Sequence, residues 1–136
     1  MAGTLAKVLR DTDISLRVLQ ELMEASYDSI LITDATQAAK IIYANNAFKA
    51  LTGYAPSEVI GKTPRILQGP GTDKKVIARL GKVLKNGGKF EGRAINYRKD
   101  GTPFIMYWRV LPVKIARQTK VWIAIQREGF AIARNA

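Results

Sequence analysis

The tripeptide Gly61-Lys62-Thr63 ends as a phosphate-binding loop ends. Such a loop needs an earlier glycine at position 56, directly after a strand, so that backbone amides cradle the phosphate. Position 56 is Pro56, and the reading fails. Gly87-Gly88 reads as a helix stop. Asp34, Asp73 and Asp100 sit at turns or caps, where a carboxylate serves local amides. Five Tyr and two Trp among basic residues offer faces for base stacking, but on strands such residues fill a core. The chain has no Cys and no His. That removes disulfides, thiolate nucleophiles, Fe–S and Cys-zinc sites, histidine bases and histidine triads. The 11 carboxylates show no pair at a spacing suited to acid–base work, so no enzyme is expected.

What remains is a binding or signalling module of 136 residues, long enough for one core. No apolar run is long enough to span a bilayer, and MAGTLAKVLRDTD meets acids too soon for a signal peptide. The expectation is a cytoplasmic protein with no membrane contact. The formal charge is +11, and it is uneven. From Lys62 to Lys99, eleven basic residues face only Asp73 and Glu91, leaving +9, whereas the first 34 residues hold six acids. A basic segment attracts nucleic acid or acidic partners, but a solvated helix face is the plainer reading. A nucleic-acid-binding module is therefore an alternative, and nucleic acid is not the expected partner.

Hydrophobic spacing sets out the elements. Leu5, Val8 and Leu9 fit a short helix. Asp13 is read as the N-cap of a second, Ile14 to Ala25, with Leu16, Leu19, Leu22 and Met23 on one face. Strands are predicted at 29–34 and 40–43, then short helices at 47–52 (capped by Asn45 or Asn46), 56–60 and 64–68. Thr72 is read as the cap of the longest of these helices, which stops at Gly87-Gly88 and carries Val76, Ile77, Leu80, Val83 and Leu84 on one stripe. Strands follow at 89–98, 103–114 and 119–128, the first two joined by Lys99-Asp100-Gly101. This order predicts an α+β fold: a five-stranded antiparallel sheet, short helices inserted between strands two and three on one face, and an N-terminal amphipathic helix. The expected division is a leader at 1–26, a domain at 27–128 and a tail at 129–136.

Several segments resemble the PAS domain family. They are Asp28-Ser-Ile-Leu-Ile-Thr-Asp34, Ile41-Ile-Tyr-Ala-Asn-Asn-Ala-Phe48, Leu51-Thr-Gly-Tyr54, Asn96-Tyr-Arg-Lys-Asp-Gly101 and Val121-Trp-Ile-Ala-Ile-Gln126. Gly61-Lys-Thr-Pro-Arg-Ile-Leu-Gln-Gly-Pro70 is similar to the hallmark of the LOV branch, the flavin photosensors. The resemblance implies flavin contacts at Thr33, Arg65, Gln68, Asn96 and Gln126. It also departs from the pattern. Pro64 stands at the photoreactive cysteine, Thr63 and Met106 replace asparagines, Trp108 replaces a smaller Phe, and Gly81 replaces a phosphate-contacting Arg, with Arg79 a half-turn away.

The candidate cofactor-binding residues are thus Thr33, Arg65, Gln68, Asn96, Met106, Trp108 and Gln126. Alternation places Met106, Trp108 and Val110 on the sheet face that meets the helices, with Trp122 also facing in. Two indoles and a thioether fill space there, so no cofactor or a small ligand is favoured, with FMN or FAD as the alternative. The expected function is a non-enzymatic PAS sensory or signal-transduction module, ligand-sensing or dimerising, without cysteine-adduct photochemistry. The alternative is a flavin-binding light or redox sensor. The expected partner is a second copy or a signalling domain, met through the N-terminal helix.

Overall fold

Alternate residues of the strands are apolar, and one sheet face must therefore find cover. The computed structural model describes residues 2–130; residues 131–136 of the expected tail lie outside the described residues. Five strands form one antiparallel sheet: β1 (Ser29–Asp34), β2 (Ile41–Ala44), β3 (Phe90–Tyr97), β4 (Pro103–Ile115) and β5 (Gln118–Glu128). Their order across the sheet is β2-β1-β5-β4-β3. The inner face carries Leu31 and Thr33 of β1, Phe90, Ala94 and Asn96 of β3, Phe104, Met106, Trp108 and Val110 of β4, and Trp122 and Gln126 of β5, all buried. Helices α3 (Asn46–Thr52), α4 (Pro56–Val59), a 3-10 turn (Pro64–Leu67) and α5 (Lys74–Asn86) contribute Phe48, Val59 and Leu67 to the same core. The α+β class, the strand count and the helices between strands two and three are as the sequence predicts.

Local chemistry shifts several boundaries. The leader is two helices, α1 (Ala2–Leu9) and α2 (Thr12–Ala25), and the N-cap of α2 is Asp11, not Asp13. Both aspartates suit the role, but the Asp11 carboxylate is the one that accepts from the amides of Asp13 and Ile14, at 2.9 and 3.3 Å. α5 is capped by Asp73, whose carboxylate accepts from Lys75 N. The Thr72 hydroxyl is taken instead by the chain crossing to β3: it accepts from Gly69 N and donates to Ile95 O at 2.7 Å. β2 begins one residue late because Lys40 N donates to the Asp34 carboxylate. β4 and β5 run further than predicted and meet through Ala116 and Arg117, both at positive φ, the backbone of a two-residue hairpin turn.

One buried side chain joins the leader to the sheet. Asn45 caps α3 by accepting from Phe48 N, and the same oxygen accepts from Ile30 N at 2.9 Å. Its amide donates to Met23 O at 2.7 Å and to Asp28 O at 3.0 Å. All hydrogen-bonding positions of the amide are thus used on four backbone groups from α2, β1 and α3. Met23 is the one buried residue of α2, and Glu24 accepts from the Tyr43 hydroxyl on β2. The leader is fastened at its C-terminal end only. Asn45→Ala, which strands buried backbone groups at each partner, is expected to lower unfolding free energy by about 3 kcal/mol, read as a drop in the urea midpoint with an unchanged slope.

Candidate functional site

Between the inner sheet face and the helices lies a cleft of three adjoining hollows, each bounded by Pro64 and Leu80. The innermost, about 450 Å³ with its opening, is walled by Thr33, Trp108, Val110, Trp122, Ala124 and Gln126 from the sheet and roofed by Leu80 and Leu84. A second, about 330 Å³, extends along Leu67, Asn96, Met106 and Trp108. The third, about 540 Å³, is the mouth, where Gln37, Ala38 and Ala39 face Arg65, Gln68 and Gly81. These volumes take in open solvent at each opening, so the enclosed space is narrower; the make-up, apolar walls with a few convergent polar groups, is that of a small-molecule site.

Each wall follows from an element already described. Thr63 caps the 3-10 turn through Arg65 N, and Pro64 starts it, so this turn lies across the cleft with Leu67 inward and Arg65 and Gln68 toward solvent. Gly69 lets the chain leave the turn: a Cβ there would lie 2.4 Å from the Tyr97 ring. The rim at 34–40 is held by the Asp34 carboxylate, which accepts from the Thr36 hydroxyl and from the amides of Thr36 and Lys40. The Thr36 hydroxyl chiefly, with those two amides and the Lys40 charge, holds the Asp34 carboxyl below the usual carboxylate range against the opposing effect of desolvation. A depressed carboxyl pKa stabilises the rim at neutral pH and ceases to do so as pH falls through that depressed value. Ala39, at φ 51°, completes the rim.

All seven candidate residues lie on the cleft. Thr33, Trp108 and Gln126 wall its interior, Asn96 and Met106 its far end, and Arg65 and Gln68 its mouth. Arg79 is not among them. Its guanidinium stacks 4.5 Å from the Phe90 ring centroid and donates to Glu91 O, away from the cleft. Pro64, Leu80, Leu84 and Trp122 complete the walls. The stripe of α5 points to Leu80 and Leu84 in sequence, whereas Ala39 carries no signal.

The chemistry of the interior is amide chemistry. Gln126 is buried, and its Oε1 accepts from the Ser29 hydroxyl at 2.9 Å. Among the described residues its Nε2 has no partner. Asn96, also buried, donates to the Met106 sulfur at 3.4 Å, a weak acceptor, and its Oδ1 has no partner among the described residues. Among the described residues no side-chain nitrogen or oxygen is both fully buried and unpaired, so the unused atoms of these amides reach a surface, and both side chains line the cleft. They offer a donor and an acceptor to a flat polar-edged ligand held between Trp108 and the apolar roof. Among the described residues no cluster of acidic side chains could hold a metal ion. On the outer surface of α5, Lys74, Lys75, Lys82 and Lys85 are exposed and outside every ion pair of the described residues.

Comparison with known proteins agrees with this geometry. A PAS domain family model matches residues 28–128. Phototropin-2 of Oryza sativa subsp. japonica is 43% identical over 102 residues, covering 72% of this chain and 11% of that protein. The chain thus spans about a tenth of that relative. A solved structure from work on a flavin analogue and the mechanism of a light-oxygen-voltage domain superposes with a TM-score of 0.76 at 31% identity, covering 84% of this chain and 85% of that one. The LOV domain of the Erythrobacter litoralis blue-light activated histidine kinase gives a TM-score of 0.71 at 33% identity, over 74% of this chain and 94% of that domain. No helix of the described residues is long and apolar enough to cross a membrane.

Half-used amides in an apolar cleft cost stability. Replacing both partners of a buried hydrogen bond by apolar groups is close to neutral, whereas removing one is not. Ser29→Ala alone is expected to cost about 1–2 kcal/mol. The double variant Ser29→Ala/Gln126→Leu is expected to unfold within about 1 kcal/mol of the parent or above it. Urea unfolding of the ligand-free variants checks both.

Proposed function

The chain belongs to the PAS domain family, in its light-oxygen-voltage branch, and we propose that it is a non-enzymatic sensory module whose inner cleft holds a flavin by hydrogen bonds and stacking alone. One observation carries this reading: Asn96 and Gln126 are buried along the cleft with one hydrogen-bonding end unused, beside the hollows that Trp108 walls. The edge of an isoalloxazine ring presents acceptors and a donor, and Trp108, Trp122, Leu80 and Leu84 supply apolar walls. A bound flavin would supply absorption of blue light and one- or two-electron redox chemistry. Thiol addition is chemically unavailable, because the chain has no sulfhydryl and Pro64 occupies the wall between the mouth and the interior. The response must therefore be a change of hydrogen bonding. The Ser29 hydroxyl can donate to Gln126 Oε1 or accept from Nε2, so it tolerates either orientation of the amide.

Output is proposed to pass through the leader to a second copy of this chain. Leu5, Leu16 and Leu22 are 60, 53 and 66% exposed, a density of bare apolar surface found on no other helix of the described residues. The copies repel one another elsewhere, at +11 each. Along the leader, Lys7, Arg10 and Arg17 nearly balance Asp11, Asp13, Glu21 and Glu24. Apolar association is thus least opposed there.

Two measurements test these readings. Titration with FMN should quench indole emission and leave flavin colour on the protein through gel filtration. Asn96→Leu and Gln126→Leu should each weaken binding by up to about tenfold. A colourless eluate and no quenching at about 100 μM FMN, a ceiling well above the micromolar range, would remove the flavin reading. Sedimentation of the full chain should show a dimer that Leu16→Glu/Leu22→Glu converts to monomer; a parent protein monomeric at the same loading would remove the dimer reading.

A further inference from the structure

Resting on the flavin reading above, we infer that the site recognises the ring and its polyol chain and is nearly indifferent to a terminal phosphate, so that riboflavin is as good a ligand as FMN. The interior of the cleft ends at the mouth, and a phosphate carried on the polyol would emerge there. The mouth holds one ionisable side chain, Arg65, beside Gln37, Gln68 and Thr63. Arg65 is exposed and makes no ion pair among the described residues, so nothing fixes its guanidinium in one place. The other arginine of this region, Arg79, is held on Phe90 and Glu91 O. Opposite Arg65 stands Gly81, where nothing lies within 4 Å of an added Cβ. A longer side chain would fit there, yet none reaches over the mouth.

The backbone offers no substitute for a clamp. α5 passes the mouth with its middle turns, at Ile77, Leu80 and Gly81. Its N-terminus is closed by Asp73, a negative charge already bonded to Lys75 N. Lys74 and Lys85 lie a turn away on the exposed side of α5, outside every ion pair of the described residues. They raise the local concentration of anions, but that attraction is screened at physiological salt. A lone exposed guanidinium changes binding by no more than about fivefold.

The test is a comparison of dissociation constants for riboflavin and FMN with the full chain, read by indole quenching at about 0.15 M salt. The expected result is a ratio below about fivefold, which Arg65→Ala lowers toward one. FMN binding at least ten times tighter than riboflavin would overturn the inference and leave the flavin reading standing. Failure of both flavins to bind would overturn the two together.

Discussion

The four hydrogen bonds of the Asn45 amide hold together everything that could act in this molecule. A primary amide buried among backbone groups is stable only if both its ends are satisfied. Here they are, by the last turn of α2, by both sides of Ser29 in the chain, and by the first turn of α3. Asp28 O and Ile30 N are both pinned, so the residue between them, Ser29, is pinned too. Ser29 is the residue that meets Gln126. The position of a cleft amide and the attachment of the leader are consequently fixed by the same side chain.

The two buried amide systems differ in a way that separates scaffold from site. Asn45 is saturated and draws its partners only from backbone, as a structural amide should. Gln126 and Asn96 are each half used, and their bonds go to a hydroxyl and to a thioether. A sequence selected for stability alone has little use for half-paired amides beside walls as apolar as Leu67, Leu80, Met106 and Trp108. Trp108 leans on Phe90, with ring centroids 5.1 Å apart, and both indoles wall the innermost hollow.

Much of this was legible in the chain itself. Alternation along β4 placed Met106, Trp108 and Val110 on the inner face, and the cap-plus-proline signatures marked α4 and the turn at Pro64. The succession of strands and helices along the chain followed from the spacing of apolar runs. What escaped notice was set by contacts between distant residues. Asp11 and Asp13 have equal propensity to cap, and the choice fell to the one whose carboxylate reaches two amides. Thr72 lost the cap of α5 because β3 offered its hydroxyl a carbonyl. Ala116 and Arg117 adopt positive φ without a glycine, since pairing of the long strands β4 and β5 outweighs the local cost. Arg79 looked available for the cleft, but an aromatic face and a carbonyl on β3 hold it elsewhere. Ser29 carried no signal, because its role exists only once β1 lies beside β5.

A sensor without a thiol must convert a change in its ligand into motion with no new covalent bond. That requires a group with two arrangements of similar free energy, each of which the ligand can favour. Asn45 cannot serve, because flipping its amide would set donor against donor at Ile30 N and Phe48 N and acceptor against acceptor at Met23 O and Asp28 O. Gln126 can, because its protein partner is a hydroxyl, both donor and acceptor, and its other end faces the ligand. Rotation would exchange the bond that Ser29 makes without breaking it. The change would arrive between Asp28 and Ile30, the two residues whose backbone Asn45 ties to Met23 of the leader. Saturated and unsaturated amides thus stand in series: one free to turn at the cleft, the next unable to turn, passing any displacement of β1 to the only buried foothold of α2.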